Sequence, residues 1–304
     1  MTLVTHSLKG IEADNMLGFL ATLGCLGALE VEHPEWQARV SWCTNPLGAC
    51  LHVSASASET EIAAAADAGC RRLGAAIEFD RKDVKFSLAD FRSVSQNALT
   101  GSKPSLAQAL AALGSDGAAK RDGENIEPTP YCLMFGQGHQ HFLERLQSYL
   151  TSAEDGSAAI QEALFRPWEY EDEGESFRWD PIEDRRYAHQ FGNPSESQNK
   201  LGTVAGANRL AALGFTYLSC APRTHGLAAL GATGRRQEQE FCWPLPKIPT
   251  SWAGYVALLG HPDLGDPERS RLLAPLGVTA VARARRIQSG KFLSVERARL
   301  NMLD

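Results

Sequence analysis

Asp14-Asn15-Met16-Leu17-Gly18-Phe19-Leu20-Ala21-Thr22-Leu23-Gly24-Cys25-Leu26-Gly27-Ala28-Leu29-Glu30 decides how the rest of the chain is read, because no other stretch is as apolar for as long. Met16 to Leu29 carries no charge. Positions 16, 19, 20, 23 and 26 follow helical spacing, and Leu17 and Leu29 fill the opposite side, so the spacing predicts a helix enclosed on all sides. A membrane span needs about 20 apolar residues. This run has 14, with Glu12 and Asp14 before it and Glu30 and Glu32 after it, which predicts a core helix. Asp14 or Asn15 supplies the N-cap oxygen. Gly18, Gly24 and Gly27 each cost about 1 kcal/mol against Ala in a helix. Gly24 and Gly27 lie on one side, where they would let another backbone come close.

The helix has an echo. Asn15-Met16-Leu17 and, three residues on, Ala21-Thr22-Leu23-Gly24 compare with Asn208-Arg209-Leu210-Ala211-Ala212-Leu213-Gly214. Trp42 with Asn45-Pro46-Leu47 follows the first and Trp243-Pro244-Leu245 the second. An internal duplication explains this; so does coincidence between two Leu/Ala-rich helices. Two halves follow, an N-terminal α+β half at 1–166 and a C-terminal α+β half at 167–304. The fold class expected is α+β, with buried central helices packed on mixed or antiparallel sheet.

A chain of 304 residues, 43% hydrophobic and 22% charged, has the composition of a globular protein able to bury a large core. Seven cysteines form no C-x-x-C pair, and an odd number spread over apolar segments predicts free thiols in a reducing compartment, without zinc. The start of the chain has no basic region leading into an apolar run and a small-residue cleavage site, so a cytoplasmic protein is expected. No cofactor is expected.

Along the chain, Arg39–Trp42 and Ala49–Val53 read as two strands of a meander. Ser58-Glu59-Thr60-Glu61 is a capping box opening an Ala-rich helix to about Ile77. Phe86 to Val94 reads as a strand or short helix, Lys103-Pro104 opens a helix ending near Gly114, and the polar segment 115–129 reads as a mobile loop. Tyr131 to Phe135 reads as a short buried strand, followed by Gly136-Gln137-Gly138 and a helix from His139. That order can hold a phosphate on a helix N-terminus, but the full phosphate-binding pattern is missing and a plain tight turn is the preferred reading.

Trp168 to Asp184 holds eight acidic residues and one arginine, Arg178. Asp180, Glu183, Asp184 and His189 offer the oxygen donors and base of a divalent-metal site, the basis of a metal-dependent nuclease reading. The alternative pairs Asp180 and Asp184 with Arg178, Arg185 and Arg186, because adjacent arginines neutralise the carboxylates a metal would need. The structural reading is preferred. No Ser-His-Asp or Cys-His arrangement is legible by spacing.

The net charge is -6, yet 265–304 holds eight Lys/Arg against four acids. Val278 to Leu300 reads as a β-hairpin about Gln288-Ser289-Gly290-Lys291. Arg283, Arg285, Arg286, Lys291, Arg297 and Arg299 would then cluster on a basic ribbon suited to phosphate, with Arg185 and Arg186 as a second contact point. A salt-bridged sheet edge is the other reading of the same residues.

Three segments together resemble CRISPR-associated proteins of type I-G (formerly I-U) loci, of the accessory and large-subunit-like families. They are Asp14 to Gly24; Trp179-Asp180-Pro181 with Asp184-Arg185-Arg186-Tyr187-Ala188; and Gly206-Ala207-Asn208-Arg209-Leu210-Ala211 with Trp243-Pro244-Leu245. The resemblance implies a non-catalytic subunit or adaptor of an RNA-guided antiviral DNA-targeting complex. Its partners would be other effector subunits or the helicase-nuclease, with crRNA or target DNA as nucleic acid and no membrane. A metal-dependent nuclease and a purely protein-binding scaffold are the alternatives. The family brings no catalytic residues to this chain, and the acidic overall charge departs from a subunit gripping DNA along its length.

Overall fold

The computed structural model describes residues 3–54, 56–134, 141–152, 154–174, 176–184, 202–224, 226–235, 238–289 and 292–303. Asn15 Oδ1 accepts from the Leu17 and Gly18 amides at 2.9 and 3.3 Å, which starts α1 (Met16–Glu32) where an N-cap was expected. Every α1 residue from Met16 to Leu29 is buried.

The main partner of α1 is α7 (Ala205–Phe215), and the two backbones touch through reciprocal glycines. A Cβ on Gly24 would lie 1.8 Å from the Leu210 carbonyl oxygen, and one on Gly214 would lie 2.0 Å from that of Leu20. The contact therefore aligns Leu20-Ala21-Thr22-Leu23-Gly24 with Leu210-Ala211-Ala212-Leu213-Gly214 without a gap. The echo is a matched pair of helix faces, in a simpler register than the gapped comparison. Gly27, in turn, sits against the Tyr217 ring.

Helices α2 (Glu59–Gly74), α5 (Phe142–Thr151) and α6 (Ser157–Phe165) close around this pair. The Ser58 capping box forms in full. Arg209 of α7 is 6% exposed and meets fully buried Asp67 of α2 at 2.9 Å, while Arg71 reaches the other Asp67 oxygen at 3.1 Å.

All strand pairings among the described residues are antiparallel. One sheet has the order β1-β3-β2-β8, from β1 (Val4–Leu8), β2 (Arg39–Thr44), β3 (Leu47–Val53) and β8 (Thr250–Ser251). A separate hairpin joins β4 (Cys220–Arg223) to β5 (Gly226–Ala229). The five-stranded sheet is built on β9 (Val278–Ser289), which pairs with β7 (Glu240–Pro246) on one edge. On its other edge β9 pairs with β10 (Phe292–Val295) and β11 (Arg299–Met302); β6 (Ala232–Thr233) completes the sheet beyond β7. Because β6 pairs only with Glu240 and Phe241, the edge of β7 beyond them is open, so Pro244 and Pro246 cost no ladder bond there. β7 therefore runs on through both prolines.

The fold is α+β, as the periodicities predict. The division at 166/167 does not separate two cores: one apolar cluster runs from Leu8 to Leu303, and β8 belongs to the sheet of the first half. Segment 86–94 resolves as helix: Ser87 Oγ accepts from the Asp90 amide at 3.0 Å and caps α3 (Leu88–Thr100). Next comes α4 (Pro104–Leu113), and α8 (Trp252–Leu259) packs beside β7. Segment 115–129 is anchored by bridges from Asn125 to Ser87 and from Ile126 to Ala119, with Ile126 fully buried. Tyr131 to Met134 is buried but forms no strand, and the glycine loop after it lies outside the described residues. Among the described residues no helix is long and apolar enough to cross a membrane.

Candidate nucleic-acid interface and the Trp179–Asp184 segment

Trp179 is fully buried, stacked on Phe177 at 4.3 Å, and its indole N–H donates to the Tyr131 carbonyl at 2.9 Å. This turns Asp180 inward, where it is 3% exposed. Asp180 Oδ1 accepts from Asn15 Nδ2 at 3.2 Å and from the Ile182 amide at 3.0 Å, and the Tyr170 hydroxyl also bonds its carboxyl group. Burial raises its pKa, against the opposing effect of these hydrogen bonds and of Arg297.

The other acids of the segment turn elsewhere. Glu183 bonds Ser176 Oγ at 2.5 Å, and Asp184 ends a 3₁₀ turn formed by Pro181–Glu183. Among the described residues no group of three His, Cys, Asp or Glu side chains is placed to hold a metal ion. Arg178 lies over the Phe292 ring at 4.8 Å. His189, Arg185 and Arg186 lie outside the described residues.

The C-terminal hairpin forms as the alternation predicts, with β9 and β10 paired from Phe292↔Ser289 to Val295↔Arg286. Its arginines have distinct fates. Arg283 is 8% exposed: its guanidinium donates to the Leu264 carbonyl at 2.8 Å, to that of Gly265 at 3.0 Å and to Cys242 Sγ at 3.2 Å. The surface role expected for Arg283 is thus corrected, since it holds the 264–265 turn to the sheet. Arg285 grips Glu296 with two hydrogen bonds, and Arg299 lies 3.7 Å from the same carboxylate. Arg297 bonds Glu12 and reaches Asp14 at 2.8 Å, tying the ribbon to the residues before α1. Lys291 lies outside the described residues.

Arg286 points away from this network. It is half-buried and lines a cavity of about 160 Å³ with Arg223 from the end of β4 and Arg235 from the link after β6. A larger opening of about 680 Å³ shares Glu127 and Arg235 with it and adds Lys120 and Arg121. Among the described residues none of these five cations is ion-paired. Sequence reasoning found only Arg286 of this group. The others are scattered between residues 120 and 235, and only the fold, which packs the β4–β5 hairpin against α4 and β6, assembles them.

Six of the thiols are held protonated by burial, Cys50 among them. Burial pushes Cys25, Cys70, Cys132, Cys220 and Cys242 up to about 12. On the outer face of the first sheet His52 lies between Thr5 Oγ1 at 2.9 Å and Ser41 Oγ at 2.8 Å. Burial lowers the His52 pKa, so the ring is neutral near pH 7. Thr5 is the cross-strand partner of His52 in register and Ser41, opposite Cys50, its diagonal neighbour; these hydrogen bonds bring no carboxylate to orient the ring, so the row reads as a polar ladder.

Comparison of the chain with protein-family models, curated proteins and solved structures finds no match.

Proposed function

We propose that the protein is a non-catalytic subunit or adaptor of an RNA-guided, DNA-targeting antiviral assembly of the CRISPR type I-G kind, acting in the cytoplasm. Its partners are other effector subunits or the helicase-nuclease, with crRNA or target DNA as the nucleic acid. The observation that carries this reading is where the three segments behind the resemblance meet. Asn15 of the first bonds Asp180 of the second; Trp243 of the third stacks on Phe19 at 5.2 Å and donates to the Ala13 carbonyl at 3.0 Å. Gly24 and Leu210 bring the remaining pieces into backbone contact. Three stretches far apart in sequence thus form one interlocked unit around the start of α1.

The unit is an interior one, so its acids and tryptophans hold the fold and leave the outer surface for binding. In such assemblies base pairing reads the sequence, and protein subunits read backbone and shape. Tagged protein co-expressed with the effector subunits and helicase-nuclease of its own locus should recover them. Incubated with labelled DNA and RNA in Mg²⁺ or Mn²⁺, it should cleave neither. Cleavage that disappears in Asp180→Ala/Asp184→Ala would move the choice to the nuclease reading. Recovery of partners without any nucleic-acid binding would leave a protein-only scaffold.

A further inference from the structure

We propose that Arg223, Arg235 and Arg286, extended by Lys120 and Arg121, form a groove that binds the phosphate backbone of a nucleic acid without reading its sequence. This rests on the reading of the protein as a subunit that contacts nucleic acid, and it moves the contact away from the C-terminal ribbon as a whole. The ribbon fails as a phosphate surface because its own carboxylates and carbonyls already occupy Arg283, Arg285, Arg297 and Arg299. The groove differs in that its cations come from four segments of the fold and none has an internal counter-ion among the described residues.

Arg286 gives the clearest sign. Burial lowers its pKa, and among the described residues no carboxylate is ion-paired with it to offset the cost. A phosphate in the groove would supply that missing charge, and the planar guanidinium donors fit phosphate oxygens in pairs. The two openings share Glu127 and Arg235, which both crowd Gly226: at its φ of 97°, Glu127 Oε2 and Arg235 Nη2 come within 2.6 and 3.3 Å of where a Cβ would stand. Two acids, Glu127 and Asp122, face the five cations. Asp122 is already committed, accepting from the amides of Glu124 and Asn125 and from the Asn125 side chain. A basic groove in a protein of net charge -6 concentrates polyanions at one place. Among the described residues no aromatic side chain lines either opening, so recognition is of the backbone and not of stacked bases.

The test measures fluorescence anisotropy of labelled 20-nucleotide single-stranded DNA, the same RNA and a 20-base-pair duplex against the full-length chain, between 50 and 200 mM NaCl. The variant Arg223→Ala/Arg235→Ala/Arg286→Ala should lose at least about tenfold in affinity at 0.1 M salt, and the slope of log K against log salt should shrink by about two to three. Should half-buried Arg286 matter for folding, Arg223→Glu/Arg235→Glu changes only exposed positions and should still abolish binding. Arg285→Ala/Arg299→Ala, on the saturated ribbon, should bind as the native chain does. Native-like affinity and slope in both groove variants would overturn the groove while leaving nucleic-acid binding standing. Failure of the native chain to bind any of the three probes would overturn the groove together with the nucleic-acid part of the functional reading. A ten-residue polyglutamate peptide bound tightly by the native chain and lost in the groove variants, with nucleic acid unaffected, would reassign the groove to an acidic protein segment.

Discussion

At the crossing of α1 and α7, Arg209 is 6% exposed and its guanidinium meets Asp67 at 2.9 Å and the carbonyls of Glu154 and Ser152 at 3.3 Å. On β9, between β7 and β10, Arg286 lies half-buried and, among the described residues, without an ion pair. Both regions combine arginines with glycines that admit close neighbours, and they use them for opposite ends. In the first, every charge is answered from inside and the glycines remove the space a ligand would need. In the second, charge is left unanswered beside an open cavity, which is the pattern of a surface that waits for an anion. Burial alone therefore does not classify an arginine; the presence of an internal acceptor does.

The comparison breaks first at the crossing. Gly24→Val places a branched side chain where even a Cβ would stand 1.8 Å from the Leu210 carbonyl, so α1 and α7 must separate and expose a core that includes Leu20, Leu23 and Leu213. The expected outcome is loss of the folded state, read by circular dichroism and by proteolysis. Gly24→Val protein that melted within a few degrees of the native chain would show that the helices do not touch through these glycines. The ion pair comes second. Asp67→Ala or Arg209→Met alone should cost about 3–5 kcal/mol in urea unfolding, because each strands a buried charge. The double variant Asp67→Leu/Arg209→Met should recover most of that loss. A double variant no better than either single one would mean that the pair contributes more than the cost of desolvating it.

How much of this was legible in the sequence differs between the two regions for a physical reason. The α1 helix, its Asn15 cap, the Ser58 capping box and the β9–β10 hairpin are written in local spacing, and each formed. The α7 helix was legible from its echo, but its gapless register was not, because the match is made by two backbones meeting and no local pattern records that. The acid-rich segment left a metal site open beside the preferred structural reading, and its composition could not name the partners of Asp180. Asp180 reads as a metal ligand only while its partners Asn15 and Tyr170, separated from it in sequence, are unknown. The basic ribbon's composition likewise could not name the acids before α1 and Glu296, which cancel most of it. The groove was illegible because its five cations belong to separate segments.

A third expected effect sharpens the distinction between a buried arginine of β9 and an exposed one at the end of β4. Arg283→Ala leaves the Leu264 and Gly265 carbonyls without their donor and opens a void beneath them, for a cost of about 2–3 kcal/mol. Arg223→Ala, at an exposed position with nothing bonded to its guanidinium, should change stability by about 0.5 kcal/mol or less. Equal costs in chemical denaturation would mean that the two guanidiniums are held alike in the folded protein.

The smallest effect expected is a pH dependence centred on Asp180. Burial raises its pKa in the folded state above the ordinary value of 3.8, with Asn15, Tyr170 and Arg297 opposing the rise. Between 3.8 and that raised value the folded protein holds a proton that the unfolded chain has released. The group therefore contributes its full stability below 3.8 and loses it as the pH rises through the folded-state pKa, after which the contribution is constant. Asp14 is shifted in the same direction, again by burial first, with Arg297 opposing, so a single melting curve would mix the two. Asp180→Asn separates them: the amide keeps an oxygen for the Asn15 and Ile182 donors and does not titrate. The melting temperature of the native chain, measured relative to Asp180→Asn, should be highest near pH 3.5 and decline on the way to pH 6. A difference that grew with pH instead would mean that Arg297 and the hydrogen bonds outweigh burial, and that the Asp180 carboxylate is held as an anion.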